Sequence, residues 1–131
     1  MAEQTERSLR LPPTARSTTE ARRFVLGALS EWGLDGLADT VALLTSELVT
    51  NSVLHARTDV EVSVTRLDDG VAVSVSDGSR RAPVHRIQHE DATTGRGVDL
   101  LQQLAGDWEV AVHDSGKTVR FSVSELSLIH I

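Results

Sequence analysis

Glu47, Asn51 and His55 follow one another at four-residue steps through the segment Thr40 to Ala56, TVALLTSELVTNSVLHA, in which Glu47 is the single formal charge. On an α-helical period of about 3.6 residues the three side chains share a narrow sector, and Leu37, Val41, Leu44 and Leu48 occupy that same sector. A carboxylate and an amide one turn apart on a rigid helix can reach one small site. Their oxygens suit Mg²⁺, which keeps several waters and is held by one or two protein oxygens beside nucleotide phosphates. Transition-metal sites seldom take an amide in place of a second His or carboxylate, so zinc on these three residues is not expected. Val49 and Val53 lie on the far side, which predicts a helix apolar on two faces and mostly buried. A buried carboxylate is costly without a partner, so an ion, a ligand or ordered water is expected at Glu47. A solvated Glu47 at a helix edge and an Asn51 bonded to neighbouring backbone are the plainer alternatives.

Three further groups could contribute. Asp77 ends a valine-rich run and is followed by Gly78, which places a carboxylate at a strand's mouth where a flat ligand can approach. A carboxylate only accepts, which suits the exocyclic amine of adenine and disfavours the guanine carbonyl; an isolated Asp-Gly is otherwise a turn. Gly95, Arg96 and Gly97 precede a short helical pattern, where backbone N–H groups can face a phosphate, although such a pair of glycines is also a common flexible connector. Thr118 stands in GKT, and alone would be a β-branched strand residue. His55 at a helix end is site-lining rather than catalytic, or a satisfied polar residue near the C-terminal dipole. Arg80, Arg81, His85 and Arg86 make the loop after Asp77 basic, able to close on phosphates, to dock an acidic partner or to stay solvated.

The elements that must position these groups follow from periodicity. Residues 1 to 16 read as a flexible arm broken by Pro12 and Pro13, with a short edge strand around Ser8 to Leu11. Ser17 and Glu20 form a capping-box pattern for an amphipathic helix that Gly33 ends. A second helix is expected from Asp35 to about His55. Val60, Val62 and Val64 alternate with polar neighbours, Asp68-Asp69-Gly70 turns the chain, and Val71, Val73 and Val75 continue the alternation, which predicts a hairpin. Ser79 to Thr94 reads as a long surface loop, and loops of that length inside a compact domain are usually functional lids or disordered. A short helix from Val98 to Leu104, a strand from Trp108 to Val112, a turn at Asp114-Ser115-Gly116 and a strand from Thr118 to Val123 complete the order. Trp32 and Trp108 are expected in the core. Helices early and antiparallel strands late describe an α+β fold, a two-layer α/β sandwich with a mixed, mostly antiparallel sheet and helices on one face. Residues 17 to 124 would form one domain, and the apolar tail 125 to 131, ending LSLIHI, a strand extension or a non-native scar.

Composition narrows the function. With 131 residues, 40% of them hydrophobic, the chain has the size of a single domain. It holds no cysteine, which removes disulfide and thiolate chemistry and fits a reducing, cytoplasmic setting. No stretch approaches the roughly 20 apolar residues of a membrane span. A formal charge of −6 and only four aromatic residues argue against direct nucleic-acid binding or a membrane surface. Five Arg against three Glu in the first 25 residues would let the N-terminal arm touch an acidic neighbour, an ordinary solvated segment being the plainer reading.

The segments ELVTNSVLHA, VSVSDGS, TGRGVDLL and GKTVRF, in this order and at these distances, resemble the GHKL ATPase superfamily of gyrase, histidine kinases and their relatives. Within it they are most similar to stand-alone anti-sigma-factor serine kinases and related single-domain ATP-binding regulators. The similarity runs from about Thr18 to Val123. It implies the Bergerat ATP-binding fold, ATP and Mg²⁺ as cofactors, Asn51 as the Mg²⁺ ligand, and Glu47 as the residue that orients or deprotonates the nucleophile. It further implies that Asp77 and Gly78 read adenine, that Gly95, Arg96 and Gly97 form the phosphate lid, and that the Thr118 hydroxyl lies near the adenine end. Ser79 departs from the pattern, standing where the Asp-x-Gly motif has its second glycine. The implied activity is phosphorylation of an anti-sigma-factor antagonist, with a sigma factor as second partner and a homodimer as an allowed state. The alternative from a different class is a non-catalytic ATP-binding module whose nucleotide state controls partner binding; a detached histidine-kinase catalytic domain is a third, lacking a phosphoacceptor helix pair.

Overall fold

The computed structural model describes residues 5–79 and 104–125. Two helices cover one face of a five-stranded antiparallel sheet, in the order β1 (Glu6–Leu11), α1 (Arg16–Glu31), α2 (Ala38–Asn51), β2 (Val60–Arg66), β3 (Gly70–Asp77), β4 (Asp107–His113) and β5 (Gly116–Ser124). Spatially the strands run β1-β2-β3-β5-β4, so β5 lies between β3 and β4. This is the expected α+β sandwich. No helix among the described residues is long and apolar enough to cross a membrane.

The sheet obeys the two-residue period of its sequence. Val60, Val62 and Val64 of β2, Val71, Val73 and Val75 of β3, and Val119, Phe121 and Val123 of β5 all point to the helices and are buried. Each such side chain contributes about 1.5–3 kcal/mol relative to full exposure. Register matches these rows: Val62 lies opposite Val75, and Val73 opposite Phe121. The other face carries Ser63, Ser74, Ser76, Thr118 and Ser122, small polar groups that need no cover.

The edge strand expected near Ser8 is present and longer, pairing all of Glu6 to Leu11 with β2. The arm is therefore part of the sheet over those residues. It is also tied to α1, since the Arg7 guanidinium bonds Glu31 and lies 5.7 Å from the centroid of the Trp32 ring.

Several local expectations are corrected. The capping box does not form: the Pro12–Thr14 turn already winds the chain, Ser17 N–H donates to the Thr14 carbonyl, and Ser17 sits inside the first turn with Ala15 at the N-cap. The buried Ser17 hydroxyl instead donates to the Pro12 carbonyl at 2.5 Å. The end of α1 follows the sequence, because Gly33 at φ +71° lets its own N–H reach Ser30 and that of Leu34 reach Leu29, a Schellman closure. Trp32 and Trp108 are only partly buried at the margin of the core, and the fully buried aromatic is Phe121. Trp32 is the C-cap of α1 and Trp108 lies on the edge strand β4, so each packs against the core from its border.

The second helix is three pieces. A 3₁₀ turn, Asp35–Leu37, leads into α2, and a π-helical turn, Ser52–Ala56, follows it. Val41, Leu44, Leu48 and Val49 are buried between α1 and the sheet, while Leu43 remains 39% exposed. Arg57, in the left-handed region at φ 58°, ends the π turn and delivers the chain to β2.

Candidate functional site

The end of α2 and the ends of β3 and β5 meet through Asp77. Its carboxylate is buried and accepts from the Ser52 hydroxyl at 2.6 Å, from the Ser79 backbone N–H at 2.9 Å, and from Lys117 Nζ at 3.0 Å on Oδ1 and 2.8 Å on Oδ2. Ser52 opens the π turn directly after Asn51, so this bond fixes the amide-bearing end of α2 against the mouth of β3. Wide π turns recur at functional sites, and here the turn changes the spacing from Asn51 to His55 from that of a regular α-helix.

Glu47 and Asn51 lie one turn apart on α2 and both are half-buried. The expectation of a buried Glu47 is thus corrected: the carboxylate sits at the edge of the apolar face, keeps contact with solvent, and does not by itself demand a counter-ion. Neither side chain has a hydrogen bond or ion pair among the described residues. His55 is half-buried on the π turn.

Gly78 is held where the sequence places it. Its N–H donates to Thr58 Oγ1 at 2.7 Å, and a Cβ there would press on the Thr58 side chain at 2.9 Å. Gly116, at φ +149°, is required for a similar reason, since a Cβ would overlap the Asp77 carbonyl. The start of β5 is locked onto β3, with Lys117 directly opposite Asp77.

Thr118 falls on the other side. Adjacent strand residues point to opposite faces, so Lys117 shares the helix-facing side with Asp77, while Thr118 bonds Ser76 at 2.8 Å and His113 at 3.1 Å on the open face. A cavity of about 430 Å³ opens at this end of the sheet, its lining including Glu61, Ser76, Asp77, Gly78, Lys117 and Thr118. The Ser52–Asp77 bond thus ties the Asn51 end of α2 to Asp77 and Gly78, and Thr118 lines the same cavity as Asp77 and Gly78. Gly95, Arg96 and Gly97 lie outside the described residues.

Two participants were missed. Ser52 carries no signal beyond its adjacency to Asn51. Lys117 was legible by parity: Asp77 alternates with Val75 and Val73, and Lys117 with Val119 and Phe121, so both belong to the buried rows.

Residues 11–123 match the model of the histidine kinase-like ATPase domain. The chain belongs to that family. A similar solved structure is the histidine kinase domain from the Erythrobacter litoralis EL346 blue-light activated histidine kinase, at 22% identity and a TM-score of 0.52, covering 66% of this chain and 44% of that one. The likeness is one of fold, and the alignment spans less than half of that chain. No protein of curated function matches. Membership of this ATPase domain family implies nucleotide binding. Glu47 and Asn51 offer oxygens that no described residue engages. The Asp77 carboxylate, by contrast, is already engaged by Lys117.

Proposed function

We propose that this histidine kinase-like ATPase domain binds ATP with Mg²⁺ and acts as an anti-sigma-factor-type serine/threonine protein kinase that regulates transcription by partner switching. Its protein substrate would be an anti-sigma-factor antagonist, and its second partner a sigma factor. The reading is carried by one observation: Glu47 and Asn51 stand a turn apart on α2 with oxygens unengaged among the described residues, on a helix end pinned beside Asp77.

In this reading Asn51 holds the Mg²⁺, which supplies charge neutralisation to the phosphates. Glu47 aligns the attacking hydroxyl and takes its proton, and His55 lines the site. Gly95, Arg96 and Gly97 close over the phosphates with backbone N–H groups. Asp77 and Gly78 receive the base, and the Thr118 hydroxyl, lining the same cavity, lies near the adenine end.

The engaged state of Asp77 favours a second reading, a non-catalytic module in which nucleotide only changes partner affinity. Incubation with labelled ATP, Mg²⁺ and candidate antagonist proteins separates the two. The kinase reading expects phosphate on a serine or threonine of the partner, reduced about 10²- to 10⁴-fold by Glu47→Gln with ATP binding retained. No transfer from the parent, together with ATP-dependent partner affinity, leaves the module.

A further inference from the structure

The Asp77 side chain is 1% exposed and its four donor contacts, two of them from one ammonium, fill the roughly four lone-pair positions of an ionised carboxylate. An exocyclic amine arriving at this carboxylate finds no free acceptor. One of the donors must leave. The Ser79 N–H is backbone, two residues from the carboxylate it serves, and Ser52 is held in the π turn. Lys117 alone combines a flexible four-carbon stem with a measure of access, its side chain being 10% exposed. Gly116, packed on the Asp77 carbonyl, holds the backbone of β5 in place, so the movement required is rotation of the Lys117 side chain.

We propose that Lys117 sets the affinity and base selectivity of the nucleotide site: its ammonium competes within the molecule for the Asp77 carboxylate, and adenine engages Asp77 only when that ammonium moves away. The inference rests on the nucleotide-binding reading above. It changes what the carboxylate was expected to do. With Lys117 in place the group facing a base is a donor, which meets the guanine carbonyl as readily as a ring nitrogen of adenine. Displacing a charged donor in favour of a neutral amine also weakens binding. The parent protein should therefore bind ATP weakly and separate it poorly from GTP. Lys117→Met keeps the length of the side chain and removes the ammonium, so the freed carboxylate accepts from adenine and repels the guanine carbonyl.

Calorimetric titration of parent and K117M with ATP·Mg²⁺ and with GTP·Mg²⁺ tests this. The Kd for ATP should fall roughly tenfold or more in K117M, the worth of a hydrogen bond to a charged acceptor, while that for GTP does not fall, so that the selectivity ratio widens. Unchanged or weaker ATP binding with an unchanged ratio overturns the role of Lys117 and leaves the nucleotide site standing. If neither protein binds any nucleotide, the nucleotide reading itself fails, and the competition with it. A measurement on the parent covers the case of a variant that does not fold: acylation of Lys117 by an amine-reactive ester, followed by mass spectrometry. ATP·Mg²⁺ should speed labelling of Lys117; protection or no change contradicts the proposal.

Discussion

Lys117 stands directly opposite Asp77 across β5 and β3, and its Nζ lies 2.8 and 3.0 Å from the two oxygens of a carboxylate that is only 1% exposed. Breaking such a pair from one side leaves the other charge buried. Asp77→Asn should destabilise the domain by about 3–5 kcal/mol, seen as a lower urea midpoint at unchanged slope. The double variant Asp77→Asn with Lys117→Met should recover part of that loss, because an apolar replacement of both charges removes the stranded one. Losses that simply add would show that the two residues do not depend on each other.

Gly116 and Gly33 both have positive φ but differ in surroundings. A Cβ at Gly116 overlaps the Asp77 carbonyl, whereas nothing lies within 4 Å of one at Gly33. Gly33→Ala should cost about 1–2 kcal/mol from backbone strain alone. Gly116→Ala should cost more, by roughly a further 1–3 kcal/mol from overpacking, and should loosen the Lys117–Asp77 contact. Equal losses in denaturant melts would contradict the close approach of β5 to β3.

The Arg7 hydrogen bond, opposed by slight desolvation and aided by its charge, holds the Glu31 carboxyl below its ordinary value of 4.5. Because the folded value is the lower one, the contribution of this group to stability is present above about 4.5 and is lost as the pH falls through the folded value. Glu31→Gln should lower Tm slightly at pH 7 and by progressively less in acid, with the difference vanishing once Glu31 is protonated in both states. High salt should shrink the effect, since the pair is exposed. A Tm difference that stays constant to pH 3 would contradict the ion pair.

Much of this fold was legible because its core is a set of strict alternations. Val60 to Val64 and Val71 to Val75 could only be strands with one covered face, and the Gly33 stop was readable from the need for a left-handed residue. The capping box at Ser17 misled because the proline turn before it had already started the helix, a contact between residues whose side chains give no periodic signal. In the site, Glu47 and Asn51 were readable as a pair on one helix. What spacing could not show was that Ser52 would reach Asp77 across 25 residues, or that the carboxylate taken as a free acceptor would be met by an ammonium from β5. Thr118 was selected by its resemblance to a motif position, and strand parity adds that it stands on the open face, in the lining of the cavity that Asp77 and Gly78 share.

The central claim is that α2 presents a Mg²⁺·nucleotide site through Asn51, and titration calorimetry with ATP at varied Mg²⁺, on the parent and on Asn51→Ala, tests it most directly. Alanine is well tolerated in a helix, so the variant should fold with a Tm near that of the parent. The parent should bind ATP more tightly as Mg²⁺ is raised, and Asn51→Ala should lose that dependence while keeping the weak metal-free binding. An identical Mg²⁺ dependence in the two proteins, or no ATP binding by the parent at any Mg²⁺ concentration, would contradict the account.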